Sequence, residues 1–354
     1  MSSRLASVDA LRGCMVAAML LVNDPGDESH VYAPLAHAAW HGCTPTDLIF
    51  PFFLFIVGVS TALAFEPKLA QGAARGQLLR TALIRAARII ALGLAIHLLD
   101  ILVSPDNHLR IPGVLQRIGL CFAAVSVFAL YTGPRSWWAA IATLAIGYWA
   151  LLLAGGTLEP FANIPDRFDT FVFGHGTYQF DAATGRGHDP EGLLSTLPSL
   201  ATCLVGLWAG HTLRAGQTRP LIAVGFALAA LAWAWSYALP FNKNLWTSSF
   251  ALWTAGLAML ALWLFHTLVD QRNWPPLGRR FGVNAVAAYA GAETMQTLLP
   301  LVLTPEAQAA ALNAWATAWS IDPRVTSLAY ALAFLCLWWL VVHTLDKRKV
   351  YIKL

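Results

Sequence analysis

Three polar side chains, Asn23, His37 and Asp47, stand at the edges of apolar stretches in the string VNDPGDESHVYAPLAHAAWHGCTPTDLIFPFFLF. A histidine, with an ordinary pKa near ~6.5, can take up or release a proton at working pH. An asparagine amide can orient an imidazole or donate to a developing oxyanion. Residues 44–47 also have the form of a helix start, with Thr44 as N-cap and an acid in the first turn. The spacing therefore predicts a proton-transfer site, a helix cap, or both.

The chain that must position these residues is very apolar. Of its 354 residues, 57% are hydrophobic and 12% are charged, and the mean hydropathy is +0.57. An average globular chain has about a quarter of its residues charged. The formal net charge of +4 is too small for a nucleic-acid-binding protein. The five cysteines show no metal-type spacing, so we expect no metal and no disulfide framework. The composition indicates an integral membrane protein.

A membrane-spanning helix needs about 20 mostly apolar residues. Ten stretches meet this description: 7–24, 46–66, 82–103, 113–131, 136–154, 193–213, 219–239, 246–268, 283–303 and 325–345. The sequence thus predicts an all-α polytopic membrane protein with about ten spans, in a single domain over residues 1–354. We expect residues 305–320 to form a surface helix and residues 155–192 to be the longest non-helical stretch.

The distribution of basic residues predicts the orientation. With a cytoplasmic N-terminus, alternation of ten spans places 17 of the 23 Lys and Arg residues inside and six outside. The six are Arg110, Arg117, Arg167, Arg186, Lys243 and Arg324. Cytoplasmic loops carry an excess of basic residues. Both termini are therefore predicted to be cytoplasmic, and the loops 24–45 and 155–192 are predicted to cap the site from the outside.

Further polar groups near the outer helix ends have competing interpretations. Gln116 and Arg117 lie one turn inside the fourth predicted span, where a buried arginine calls for an anion or a carboxylate partner. Residues 189–191 (Asp-Pro-Glu) resemble the N-cap and first turn of a helix. Residues 242–247 form a short turn whose Trp246 could stack on a sugar ring or lie at the membrane interface.

Basic residues also approach the third predicted span from the inside at near-helical spacing. They are Arg75, Arg80, Arg85 and Arg88, and Arg12 lies in the first span. These basic residues at the inner helix ends, called the inner mouth below, could bind a phosphorylated ligand, and they could equally bind anionic lipid headgroups.

Several strings together resemble the transmembrane acyltransferases typified by heparan-α-glucosaminide N-acetyltransferase. They are SVDALRG, MLLVNDPG, HAAWHGCTPTDLIFPFFLFIVG, IPGVLQRIG, DPEGLLSTLP, NKNLWTSSF and GVNAVAAY. The strings run from residue 7 to about residue 290 in the family's order, so the resemblance covers nearly the whole membrane region.

The resemblance implies an enzyme that transfers acetyl from cytoplasmic acetyl-CoA to a glucosamine amine across the membrane. His37 matches the family's catalytic histidine and Asn23 its catalytic asparagine; we add Asp47 as orienting partner. Residues assigned to the acceptor are Asp24, Trp40, Glu191, Lys243, Asn244 and Trp246. Residues assigned to acetyl-CoA are Arg12, Arg80, Arg85, Arg88, Gln116, Arg117 and Asn284.

Two departures from the animal enzyme bear on the acceptor and the location. We expect no counterpart of the animal enzyme's lumenal domain before residue 7, and the loop between Asn23 and His37 is longer and acidic. We therefore expect a free amino sugar or short oligosaccharide as the acceptor. The compact form resembles the bacterial branch, which implies the cytoplasmic (inner) membrane. The expected partners are acetyl-CoA, the acceptor, membrane lipid and, as one option, a second copy of the chain, with no nucleic acid.

Two alternative functions remain open from the residues alone. One is a sugar transporter that uses the polar cluster as its substrate gate. The other is a glycan O-acetyltransferase, because SVDALRG also resembles the opening of the broader acyltransferase-3 type. Within the acetyltransferase hypothesis, His37 acts either as a general base or as a nucleophile that carries the acetyl group.

Overall fold

The computed structural model describes residues 5–104 and 108–352. Arg4 and Lys353, which the orientation argument places inside, lie outside the described residues. Thirteen α-helices carry the described chain: α1 (Ala6–Asn23), α2 (Ile49–Ala70), α3 (Arg75–Val103), α4 (Val114–Tyr131), α5 (Pro134–Ala154), α6 (Ile164–Phe173), α7 (Leu193–Arg214), α8 (Arg219–Trp235), α9 (Ser248–Phe265), α10 (Arg279–Val283), α11 (Ala285–Leu298), α12 (Pro305–Ala318) and α13 (Pro323–Lys347). The predicted all-α polytopic membrane fold is confirmed.

Eight helices in the described part are long and apolar enough to cross a membrane. They are α1 to α5, α7, α9 and α13, with α2 extended by the turn Thr46–Leu48 and α9 by the π-helical turn His266–Gln271. The other two predicted spans differ from this pattern. Helix α8 has 17 residues. The ninth predicted span, 283–303, contains the 14-residue α11 and the turn Leu299–Leu301, and Asn284, with φ of −120° and ψ of 32°, separates α11 from the five-residue α10 before it.

The centre of the bundle is the contact between α2 and α7. A Cβ added at Gly58 would lie 1.9 Å from the Cys203 carbonyl oxygen, and one at Gly206 would lie 2.0 Å from that of Phe55. The two backbones therefore touch directly, as small residues permit between membrane helices. Both helices run in the same direction, so their first residues lie at the same end of the bundle. That end, where α1 finishes and α2, α4, α7 and α9 begin, is called the site end below.

The stretch 155–192 was predicted to be non-helical, and that prediction is wrong. It contains α6 and a small antiparallel hairpin of β1 (Gln179–Asp181) and β2 (Arg186–His188). Asn163 caps α6 through the amide of Asp166, a signal that the glycine-rich composition concealed. The helix buries Asp166 and Asp169 and exposes Phe171, the reverse of a water-soluble surface helix. Helix α12 occupies the stretch predicted as a surface helix.

Candidate functional site

The imidazole of His37 and the carboxylate of Asp47 form a directly bonded pair at the site end. The Nδ1 atom of His37 lies 2.7 Å from Oδ1 of Asp47. Because a carboxylate only accepts, Nδ1 carries the hydrogen and Nε2 keeps its lone pair for proton transfer or nucleophilic attack. The His37 side chain is 46% exposed, whereas that of Asp47 is 1% exposed. The pair thus combines an accessible imidazole with a buried carboxylate that holds it in place.

The second oxygen of Asp47 performs the capping role that the sequence also suggested. Oδ2 accepts from the backbone amides of Thr44 at 2.9 Å and Ala38 at 3.1 Å, and from the Thr44 hydroxyl. The predicted cap is therefore reversed: Asp47 accepts from Thr44, and Thr44 is not the side-chain cap. One carboxylate therefore both caps the turn and bonds the imidazole, because each oxygen has its own partners. The Ala38 bond also fixes the backbone beside His37.

A small cavity opens beside this pair. Its volume is about 70 Å³, and its lining includes four of the residues that the sequence assigned to the site: Asn23, His37, Glu191 and Lys243. The other lining residues are Met19, Val22, Thr46, Ile49, Phe50, Val114 and Tyr289. Asn23 is the last residue of α1 and is exposed. The structure therefore gathers residues of α1, α2, α4 and α11 around His37, together with Glu191 from the loop before α7 and Lys243 from the turn before α9.

Lys243 is the nearest cation to His37. Its Nζ atom lies 3.2 Å from both ring nitrogens of His37. The turn that carries Lys243 is held by Asn242, whose Oδ1 accepts from the Leu245 amide at 2.8 Å. Burial lowers the pKa of Lys243, although the charges of Glu191 and Asp47 oppose that shift. Lysine and imidazole thus share one polar wall of the cavity.

Glu191 is anchored by Arg110, which the sequence analysis treated only as an outside cation. Arg110 Nη2 lies 2.5 Å from Glu191 Oε2 and 2.7 Å from Asp189 Oδ1, and its Nε donates to Asp189 Oδ2 at 3.0 Å. Burial by itself raises the pKa of Glu191, but the charges of Arg110 and Arg117 overcome it, so the pKa lies below its ordinary value. Glu191 is therefore held as a carboxylate at the cavity.

The prediction that Asp189 caps α7 is wrong. The helix starts at Leu193 with Gly192 as its N-cap, and the Leu193 amide donates to Asp169 Oδ1 at 2.9 Å. Asp189 instead binds Arg110 and accepts from the amides of Tyr178 and Glu191. Sequence reasoning missed Asp169 because it lies 24 positions before the amide that it caps.

The remaining acceptor candidates lie outside the cavity lining. Asp24 is buried and bonds Gln296. The Trp40 indole donates to the Leu158 carbonyl at 3.0 Å, which ties the loop 24–45 to the segment 155–192. Trp246 is 0% exposed and packs against Phe50, so it offers no surface on which a sugar could stack. Asn244 is partly exposed beside Lys243.

The residues assigned to acetyl-CoA fall into two groups. Arg80, Arg85 and Arg88 are exposed along the first half of α3. The other four are engaged inside the protein. Arg12 bonds Asp9 and Ser60, and Asn284 accepts from the Ile352 amide at 3.3 Å.

Gln116 and Arg117 complete that second group near the site end. Gln116 is buried beside His97 and Gly113. Arg117 donates to the Gly192 carbonyl at 3.2 Å and to the Ser195 hydroxyl. Its guanidinium lies 5.1 Å from the Trp246 ring centroid. Arg117 therefore binds the start of α7, whereas Gln116 packs between α3 and the start of α4.

Tyr289 is a lining residue with an ionisable side chain that the sequence analysis did not assign. It lies on α11. The signal was present, because Tyr289 ends the string GVNAVAAY. In residues 5–104 and 108–352, no three His, Cys, Asp or Glu side chains are grouped to hold a metal ion.

Comparisons with known proteins identify the family of this chain. The model of the family described as "Heparan-alpha-glucosaminide N-acetyltransferase, catalytic" matches residues 4–239. The heparan-alpha-glucosaminide N-acetyltransferase of Mus musculus is 26% identical over 423 aligned positions, which cover 100% of this chain and 61% of the mouse protein. The protein of that name from Homo sapiens is 26% identical over 425 positions, covering 99% and 60%. The chain thus spans about three fifths of the length of these curated relatives.

Proposed function

This chain belongs to the heparan-alpha-glucosaminide N-acetyltransferase catalytic family, and we propose that it transfers an acetyl group from acetyl-CoA to the amine of a glucosamine-type sugar. The observation that carries the proposal is the bond from His37 Nδ1 to Asp47, which leaves Nε2 available at a cavity that Asn23 also lines. A base of this kind, with an amide beside it, is what acyl transfer to an amine requires.

In the proposed reaction, Nε2 of His37 removes the proton from the acceptor amine as the amine attacks the thioester carbonyl. The Asp47 carboxylate stabilises the imidazolium that forms, because the two groups are already bonded. The Asn23 amide donates to the oxyanion of the tetrahedral intermediate. The thiolate of CoA leaves and takes up the proton. The variant in which His37 first carries the acetyl group uses the same Nε2 lone pair.

The acceptor site of this proposal is the cavity wall formed by Glu191 and Lys243. A carboxylate held by Arg110 accepts hydrogen bonds from sugar hydroxyls or from an ammonium group. Asp24, Trp40 and Asn244 would contribute only to a longer acceptor that extends beyond the cavity. The loops 24–45 and 155–192 then act together as a cap, since the bond between Trp40 and Leu158 joins them.

The donor side of the proposal rests on charge. The phosphates of CoA cannot enter hydrocarbon, so the nucleotide stays at the inner mouth while the pantetheine arm reaches toward His37 between helices. Exposed Arg80, Arg85 and Arg88 are the basic groups that we assign to the phosphates. We propose that both termini are cytoplasmic, that the protein lies in a bacterial inner membrane and that the acceptor is on the periplasmic side.

The test is acetyl transfer by the purified protein in liposomes, with labelled acetyl-CoA and either glucosamine or glucose. We expect N-acetylglucosamine with glucosamine and no product with glucose. An O-acetylated product from glucose would favour the O-acetyltransferase alternative. Uptake of sugar into the vesicles without any acetylation would favour a transporter and overturn the proposal. Adding acetyl-CoA on one side only, with an impermeant acceptor on the other, tests the sidedness.

A further inference from the structure

The cavity beside His37 contains a primary amine that belongs to the protein itself. Lys243 Nζ lies 3.2 Å from each ring nitrogen of His37, and both residues line the cavity with Asn23 and Glu191. The proposed acceptor, a glucosamine, also presents a primary amine to His37. The lysine amine therefore stands in the position that the acceptor amine must reach.

An acceptor amine that reaches Nε2 of His37 must displace this amine, because Lys243 Nζ lies 3.2 Å from that nitrogen. A volume of about 70 Å³ accommodates on the order of five water molecules, which is less than a hexose needs. The turn around Asn242 is held by backbone and side-chain bonds, but the Lys243 side chain is flexible beyond its Cβ. An arriving sugar would push the lysine aside, and without a sugar the lysine stays beside His37.

The protonation state of Lys243 bears on its reactivity. An ammonium group is not a nucleophile, whereas a neutral amine is. Burial lowers the pKa of Lys243 and so increases the neutral fraction, while the carboxylates of Glu191 and Asp47 act against this. His37 is bonded to Asp47, lies 3.2 Å from Lys243 Nζ, and shares the cavity with Glu191.

We propose that, when acetyl-CoA is bound and no acceptor is present, the His37 centre acetylates Lys243. This rests on the proposed acetyltransferase function. The neutral Nζ attacks the thioester carbonyl carbon, a C–N bond forms, and the C–S bond to CoA breaks. One proton of the amine passes to Nε2 of His37 and then to the departing thiolate. The products are Nζ-acetyllysine and free CoA, so the step needs no further reactant.

Acetylation would change the site in two ways. The cation between Glu191 and Asp47 is replaced by a neutral amide, and the longer side chain occupies the space that the acceptor needs. The modified protein should therefore be inactive toward the sugar. An acceptor present from the start protects Lys243, because it competes for the same acetyl group and keeps the lysine displaced.

The experiment uses the full-length protein in liposomes with acetyl-CoA and no acceptor, followed by denaturation, digestion and peptide mass spectrometry. Lys68, at the opposite end of α2, reports non-specific chemical acetylation. We expect acetyl-Lys243 to accumulate well ahead of acetyl-Lys68. In His37→Ala its formation should slow by about 10²-fold or more, the contribution of a general base, while Lys68 is unaffected. Glucosamine should suppress it.

Function is measured in parallel as a time-dependent loss of glucosamine acetylation after pre-incubation with acetyl-CoA. The wild type should lose activity with the time course of Lys243 acetylation, and Lys243→Arg should keep whatever activity it starts with. An unmodified Lys243 in a preparation that acetylates glucosamine would overturn this inference alone. Equal acetylation of Lys243 in the wild type and in His37→Ala would also overturn it. Absence of any acetyl transfer to glucosamine would overturn the proposed function itself.

Discussion

The Nδ1 atom of His37 lies 2.7 Å from Oδ1 of Asp47, although the two residues are separated by ten positions and only Asp47 belongs to a regular helical turn. The bond exists because the 3₁₀ turn Thr46–Leu48 points a buried carboxylate back at the preceding loop, where Oδ2 fixes Ala38 and Oδ1 fixes the imidazole. A capping residue and a candidate catalytic partner are therefore the same group.

Replacing His37 by alanine removes the proposed base and should lower turnover by ~10²–10⁴-fold. The fold should be kept, because the side chain is 46% exposed. Thermal unfolding in detergent checks the fold, and labelled acetyl transfer to glucosamine checks the rate. His41→Ala, an exposed histidine in the same loop, is the matched control and should retain activity. Near-normal turnover in His37→Ala would exclude His37 as the base.

Asp47→Asn separates the two tasks of this carboxylate. Asparagine still accepts from the Thr44 amide, so the helix start should survive. Its amide nitrogen, placed toward His37, donates to Nδ1 and moves the hydrogen to Nε2, where it blocks the base. Turnover should fall by ~10²–10⁴-fold, in line with the effect of the wrong tautomer in other dyads, with little change in KM. If the variant keeps full activity, Asp47 serves only as a cap.

Asn23→Ala should reduce kcat by about 10²-fold, the usual cost of one oxyanion donor. Asn23 is the exposed last residue of α1, so little packing is lost. Steady-state kinetics with glucosamine distinguish the alternatives, since an increase in KM alone would make Asn23 an acceptor contact. Asn244→Ala, an amide outside the cavity lining, is the comparison and should leave kcat within a small factor of the wild type.

The titration of Asp169 should make the free energy of unfolding depend on pH. Burial raises the pKa of this carboxyl to about 7, whereas in the unfolded chain it titrates near ~3.9. Between these values the folded state holds a proton that the unfolded state has lost, so the free energy of unfolding falls as the pH rises and levels off above about pH 7. The slope should be at most ~1.4 kcal/mol per pH unit.

Asp169→Asn keeps the oxygen that accepts from the Leu193 amide and removes the titration. Unfolding temperatures measured from pH 5 to pH 8 should therefore vary less in this variant. Asp181→Asn is the control, because hydrogen bonds from Thr184 lower the pKa of that exposed carboxyl and place its titration below this range. The same pH dependence in Asp169→Asn as in the wild type would show that another group is responsible.

Arg110→Gln should destabilise the site end. The change leaves Asp189 and Glu191 without their cation, and their side chains are 0% and 9% exposed. Breaking one partner of a buried pair costs roughly 3–5 kcal/mol, which thermal unfolding can measure. Adding Glu191→Gln should recover part of the loss, because one of the unpaired charges is removed. Arg186→Gln, an exposed arginine on the hairpin, should have no effect; a similar loss there would contradict the assignment.

The structure also explains why some sequence-based assignments were wrong. Trp246 resembled a loop aromatic beside a cation, but its indole is fully buried and lies 5.1 Å from the Arg117 guanidinium. Residues 189–191 had the pattern of a helix start, yet Asp189 and Glu191 both bind Arg110. The first amide of α7, that of Leu193, donates to Asp169 instead. In each case a residue distant in sequence provided the better partner.

Composition and residue order alone were sufficient to predict a membrane-embedded helical protein, the approximate helix limits, the family resemblance, and His37 and Asn23 as the residues to test. Whether a helix is stable in the hydrocarbon core depends on the residues of that helix, so a membrane span can be predicted from its own stretch of sequence. Only the tertiary structure placed Lys243 against His37 and Glu191 against Arg110, and only it buried Trp246. Those contacts join residues as far as 206 positions apart, and they form because the packing of the helices brings the loops at the site end together.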